Sequence, residues 1–87
     1  MKVARLLGEQ MGLERVILFG SLATGRFHDR SDIDLAIDGL PAGESIRAHR
    51  VTEEQEPEFE FNLVPLEGAP SFLRDAIARD GVVLWPQ

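Results

Sequence analysis

A chain of 87 residues with a net charge of -6, 44% apolar and 28% charged residues, has the composition of one small globular domain and not of a disordered segment. With one Lys against eight Arg, the acidic balance opposes attachment to a nucleic-acid backbone, which relies on cations neutralising phosphates. The lack of Cys excludes a disulfide framework or thiolate metal site, no apolar run nears the ~20 residues of a membrane span, and Glu9 interrupts MKVARLLGEQMG too early for a signal peptide. A cytoplasmic location is therefore expected.

In chain order, residues 2–11 carry Val3, Leu6, Leu7 and Met11 at helical spacing, and Gly12 follows where a left-handed cap is wanted. RVILF, 15–19, is a continuous apolar run with two β-branched residues, bounded by Gly20, and reads as a buried strand. SDIDLAID, 31–38, alternates, with Asp32, Asp34 and Ala36 on one side and Ile33, Leu35 and Ile37 on the other. Residues 43–55 form a lightly buried helix with Ile46, Ala48 and Val51 as its apolar positions, stopped before Pro57.

EFEFNLV, 58–64, alternates again. It is expected to turn Phe59, Phe61 and Leu63 toward the core and Glu58, Glu60 and Asn62 away from it. A helix then starts at Pro70, carries Phe72, Leu73, Ala76 and Ile77 on one stripe, and ends at Gly81, with VVLW as a short edge strand. The expected fold is a single α/β (α+β) domain over 1–87: a small mixed sheet with helices packed on one face and acidic side chains on the other. A domain this small buries a modest fraction of its surface, so a homo- or hetero-oligomeric partner is the natural supplement.

Asp32 and Asp34 follow each other at i and i+2 on a strand, about 7 Å apart on one side, and repel unless a cation lies between them. Hard oxygen donors in that arrangement suit Mg2+ together with substrate phosphates. Gly20 and Ser21 end a buried strand ahead of an expected helix start, where free N–H groups and a hydroxyl favour a phosphate. Metal-binding acids beside a phosphate cradle describe a nucleoside triphosphate site. Each half alone has a plainer reading: Gly-Ser is usually a turn, and Asp-x-Asp on a half-exposed strand is usually solvated. Their combination points to chemistry.

Gly20-Ser21, ten residues, then Asp32-Ile33-Asp34 resembles the Gly-Ser-x10-Asp-x-Asp signature of DNA polymerase beta-like nucleotidyltransferases. The short length and the SDIDL wording are similar to the minimal nucleotidyltransferases that form the antitoxin half of HEPN/MNT toxin–antitoxin pairs. The motif covers about a sixth of the chain, and the order of elements agrees with that family throughout. The resemblance implies a nucleotidyltransferase fold and Mg2+-dependent transfer of AMP from ATP to a hydroxyl, in some members a tyrosine of the partner toxin. Gly20 and Ser21 would hold the triphosphate, Asp32 and Asp34 the metal, and the partner would be a helical HEPN protein. The Arg-x4-His motif of HEPN ribonucleases is missing here, so the toxin role falls to another chain.

One departure matters. The family usually has a third Asp on the following strand; the matching FNLV puts Asn62 in that catalytic place, and an amide cannot accept a proton at neutral pH. Glu60, two residues earlier on the same face, is a candidate substitute, although with Glu58 it also fits a solvated strand face. Thr24 stands where many members carry Arg. Arg26 and Arg30 are candidate phosphate contacts with a solvated alternative, His28 and His49 are expected at the surface, and Trp85 fits core packing better than base stacking. Two alternatives follow: a catalytically impaired binding antitoxin that works by complex formation, and one subunit of a two-chain small-molecule nucleotidyltransferase.

Overall fold

The computed structural model describes residues 2–20 and 32–86. Ser21, Thr24, Arg26, His28 and Arg30, named above, lie outside the described residues. The described elements run α1 (Lys2–Met11), β1 (Arg15–Phe19), β2 (Ile33–Asp38), α2 (Ser45–Gln55), β3 (Phe61–Pro65), a 3-10 turn (Leu66–Gly68), α3 (Ser71–Asp80) and β4 (Val82–Trp85).

The strands form one mixed sheet in the order β3-β2-β1-β4. β1 lies antiparallel to both β2 and β4, and β2 runs parallel to β3. The two buried, apolar strands of the sequence therefore sit in the middle, where neighbours on both sides satisfy their backbone groups. Alternation along them divides the side chains between two faces.

One face is the main core. Val16, Ile33, Leu35 and Ile37 of β1 and β2 meet Ala4, Leu7 and Met11 of α1 and Ala48 and Val51 of α2, with Leu13 closing the cluster. The helical spacing in α1 buries Val3, Ala4, Leu7, Gly8 and Met11, and Gly12 ends the helix at φ 64, a left-handed conformation that glycine adopts without a steric penalty. Leu7, Leu35 and Ile37 are fully buried, each worth roughly 1.5–3 kcal/mol of transfer free energy. Trp85 packs on this core as expected. Its indole lies against Gly8, where an added Cβ would collide with the ring, and its Nε1–H donates to the Leu13 carbonyl at 3.2 Å.

α1 and α2 cover that face, and α3 reaches the opposite one. There Ile77 closes a smaller cluster with Ile17 and Ala36, flanked by Phe19, Leu66 and Leu73. The approach is tight: a Cβ on Gly81 would run into the Ile77 carbonyl and the Ile17 side chain, so glycine at the end of α3 serves close packing and not a turn of unusual φ. Phe72, expected on the buried stripe of α3, is 75% exposed; it is Leu73 and Ile77 that pack into the cluster on the sheet.

β3 also differs from its expected span. Ladder pairing with β2 runs from Ile33–Phe61 to Ile37–Pro65, so residues 58–60 precede the strand. The Phe59 N–H bonds the Glu56 carbonyl at 3.2 Å in the turn that Pro57 imposes. Phe59 is consequently 45% exposed and not a core residue.

Candidate functional site

The register brings the acidic residues together. Phe19 of β1 is the cross-strand partner of Asp34, and Asp34 is the parallel partner of Asn62, so one row crosses three strands on the face away from α1 and α2. Asp32 immediately precedes β2. It shares the side of Asp34 by the period of two, and the Ile33 N–H between them is held by the Glu60 carbonyl at 2.8 Å. That backbone bond fixes the strand start at the point where the two carboxylates emerge.

The side chains converge on one atom. The Asn62 Nδ2 donates to Asp32 Oδ2 at 3.1 Å and to Asp34 Oδ1 at 3.0 Å. Both N–H groups of the carboxamide are therefore committed, one to each carboxylate, which is the full donor capacity of the group. Asp32 and Asn62 are exposed and Asp34 half-buried, so the trio opens to solvent. Donation to ionised acceptors is stronger than between neutral groups and offsets part of the carboxylate repulsion.

Gly20 lies at the edge of this trio. Its φ is 76, and a Cβ there would overlap the Asp34 carboxylate. Only glycine lets the β1 terminus turn this close to an acid, and that keeps the backbone at 20 beside the carboxylates. Of the residues expected to act together, the structure thus brings Gly20, Asp32, Asp34 and Asn62 to one place, while Ser21 falls outside the described residues.

Two open grooves flank the sheet. One, about 510 Å³, lies between α2 and the outer edge of β3 and is lined by His49, Thr52, Glu53, Phe59, Glu60 and Asn62 among others. It adjoins the acidic trio through Asn62. Glu60 therefore faces a groove shared with α2, a position that alternation within residues 58–64 could not reveal, since the pairing of α2 with that edge depends on tertiary packing. His49 is exposed, as expected. The other groove, about 440 Å³, sits at the far end of the strands between the sheet and α3. Arg15 crosses there to Asp38, its strand partner, with Nε at 3.0 Å and Nη2 at 2.8 Å from the same oxygen.

The oxygen-rich trio can take a hard cation or a polyvalent group bearing one. Among the described residues no cluster of three or more His, Cys, Asp or Glu side chains exists that could hold a metal, so Asp32 and Asp34 contribute two acids and Asn62 an amide. No described helix is long and apolar enough to cross a membrane.

Comparison with known proteins gives a consistent outcome. The sequence profile described as Polymerase beta, Nucleotidyltransferase matches residues 1–87. The fold is similar to a crystal structure of a toxin–antitoxin with AMP-PNP, at TM-score 0.79 and 25% identity, covering 99% of this chain and 73% of that one. It is also similar to the toxin–antitoxin MntA–HpeT in a Tyr-to-Ala variant, at TM-score 0.77 and 27% identity over 99% and 71% of the two chains. A structure provisionally named as a minimal nucleotidyltransferase superposes at TM-score 0.72 and 26% identity over 93% and 85%. No curated protein sequence matches.

Proposed function

The chain belongs to the polymerase beta nucleotidyltransferase family, and on that premise we propose that it transfers AMP from ATP, with Mg2+, to a hydroxyl of a partner toxin of HEPN type, acting as an antitoxin. The carrying observation is the meeting of Asp32 and Asp34 with Asn62 on the open sheet face beside Gly20. Similarity to a toxin–antitoxin bound to AMP-PNP supports an adenine nucleotide and a toxin as partner.

In this assignment the two carboxylates hold Mg2+, for which their paired hard oxygens are suited. When bound, the ion neutralises charge on the triphosphate and on the departing pyrophosphate. Gly20 and Ser21 would supply backbone and hydroxyl donors to phosphate oxygens. The acceptor oxygen forms a bond to the α-phosphorus, the bond from that phosphorus to the bridging oxygen breaks, and pyrophosphate leaves. The acceptor's proton needs a base other than Asn62, because an amide takes none at neutral pH. Positioning and charge stabilisation carry the catalysis.

The test is intact-mass measurement of the copurified partner with ATP and Mg2+. A gain matching one or more AMP units is expected, and its loss in the Asp32→Ala, Asp34→Ala double variant. An unchanged partner mass at every ATP concentration refutes transfer.

One observation favours a second reading. Among the described residues the amide at 62 leaves the site with two acids, as a binding antitoxin that neutralises by masking its partner would tolerate. Neutralisation that persists in the double Asp variant and without ATP would select this reading. One subunit of a two-chain small-molecule transferase would instead label a small acceptor and no protein.

A further inference from the structure

The Asn62 carboxamide donates simultaneously to Asp32 Oδ2 at 3.1 Å and Asp34 Oδ1 at 3.0 Å. A cation shared by two carboxylates takes an oxygen from each, and this –NH2 group holds one oxygen of each. An –NH2 group carries partial positive charge only, so it eases the repulsion of the pair without neutralising it. Its backbone is not free to drift. Asn62 is the register partner of Asp34, and the Ile33-to-Glu60 backbone bond ties the adjoining residues, so the amide is carried to the pair by the sheet itself.

We propose that Asn62 is a positioning residue that acts as a built-in competitor for the cation: its amide spans the two carboxylates and must swing away before they can share a divalent ion. This rests on the metal role assigned to Asp32 and Asp34 above. The consequence is a site set to weak intrinsic metal affinity, filled mainly when a nucleotide brings the ion with its phosphates. The carboxylates stay aligned meanwhile, because the amide keeps both within reach of one point. An Asp at 62 would do the opposite, adding a third negative charge and raising both cation affinity and repulsion in the ion's absence.

The alternative is that the carboxamide helps the ion by turning its oxygen inward as a ligand. The two roles predict opposite signs for removal of the side chain. Removing a competitor tightens cation binding; removing a ligand weakens it.

The experiment titrates Mn2+, as a paramagnetic probe, into the wild-type protein, Asn62→Ala, Asn62→Ser, Asn62→Asp and the Asp32→Ala, Asp34→Ala double variant, reading free ion by electron paramagnetic resonance without nucleotide. Thermal unfolding in EDTA verifies that each variant folds, and Ser is the second probe because it is polar yet too short to span both acids. Expected is a roughly three- to tenfold tighter dissociation constant for Asn62→Ala and Asn62→Ser, the net size of one solvent-open hydrogen bond. A larger gain is expected for Asn62→Asp, and loss of binding in the double variant. Affinity equal to or below wild type in both Ala and Ser variants, with binding still dependent on Asp32 and Asp34, overturns the competitor role and leaves the metal assignment standing. If no variant shows binding that depends on the two acids, even with ATP added, the competitor role and the metal assignment fall together.

Discussion

The two faces of the sheet carry the same strands and opposite chemistry. Toward α1 and α2, Val16, Leu35 and Ile37 disappear from solvent. At the alternate positions of the strands, Phe19, Asp34 and Asn62 form a row on the other side, where among the described residues Ile77 of α3 meets Ile17 and Ala36 beside Phe19. A period of two thus separates the main core from the acidic row: the first face supplies most of the burial that holds the sheet, and the second carries a smaller cluster beside its charged residues. Substitutions should therefore sort by face, with losses of stability on one and losses of activity on the other.

The strongest way to break that division is at the acids. Asp32→Ala with Asp34→Ala is expected to lower AMP transfer at least ~1000-fold, about 4 kcal/mol in the barrier, while urea unfolding moves by no more than about 1 kcal/mol, since only solvent-open hydrogen bonds are lost. A collapse of the fold in this variant would show that the open face is structural after all. Leu35→Ala, one residue away on the covered face, is the converse. It should cost about 2–5 kcal/mol in urea unfolding because a fully buried side chain leaves a cavity in the main core, with the transfer rate per folded molecule nearly unchanged.

Smaller effects sharpen the boundary. Gly8→Ala should destabilise by about 1–3 kcal/mol by thermal or urea unfolding, because the new methyl meets the Trp85 ring that seals β4 onto α1. A Trp85 fluorescence change should accompany it. Arg15→Ala removes the pair with Asp38 at the open face's far end. With Arg15 about half exposed, the loss should stay within about 1 kcal/mol and shrink further in high salt.

Much of this architecture was legible in the chain. RVILF marked β1 to the residue, and SDIDL placed Asp32 and Asp34 on one side, because continuous and alternating apolar patterns map directly onto burial. α1 announced itself through Leu7 and Met11 and the glycine that follows. β3 was legible only in its second half: EFEF alternates as a strand should, yet a strand needs a partner, and the ladder to β2 begins at Phe61. Phe72 misled for a related reason, since a helical stripe shows which residues lie side by side and not how wide a contact its neighbour offers. The place of Asn62 at the position of the family's third Asp followed from the resemblance, whereas its pairing with Asp34 and its double hydrogen bond did not. That bond depends on the parallel register of β2 and β3, which joins residues 28 and 30 apart in sequence and has no local signature.

The central claim is that the open face binds nucleotide through its acid pair and a divalent ion. Calorimetric titration of ATP into the wild-type protein and the Asp32→Ala, Asp34→Ala variant, each with Mg2+ and with EDTA, tests it most directly. Saturable uptake is expected only for wild type with Mg2+; equal uptake by the variant, or uptake undiminished by EDTA, would contradict it.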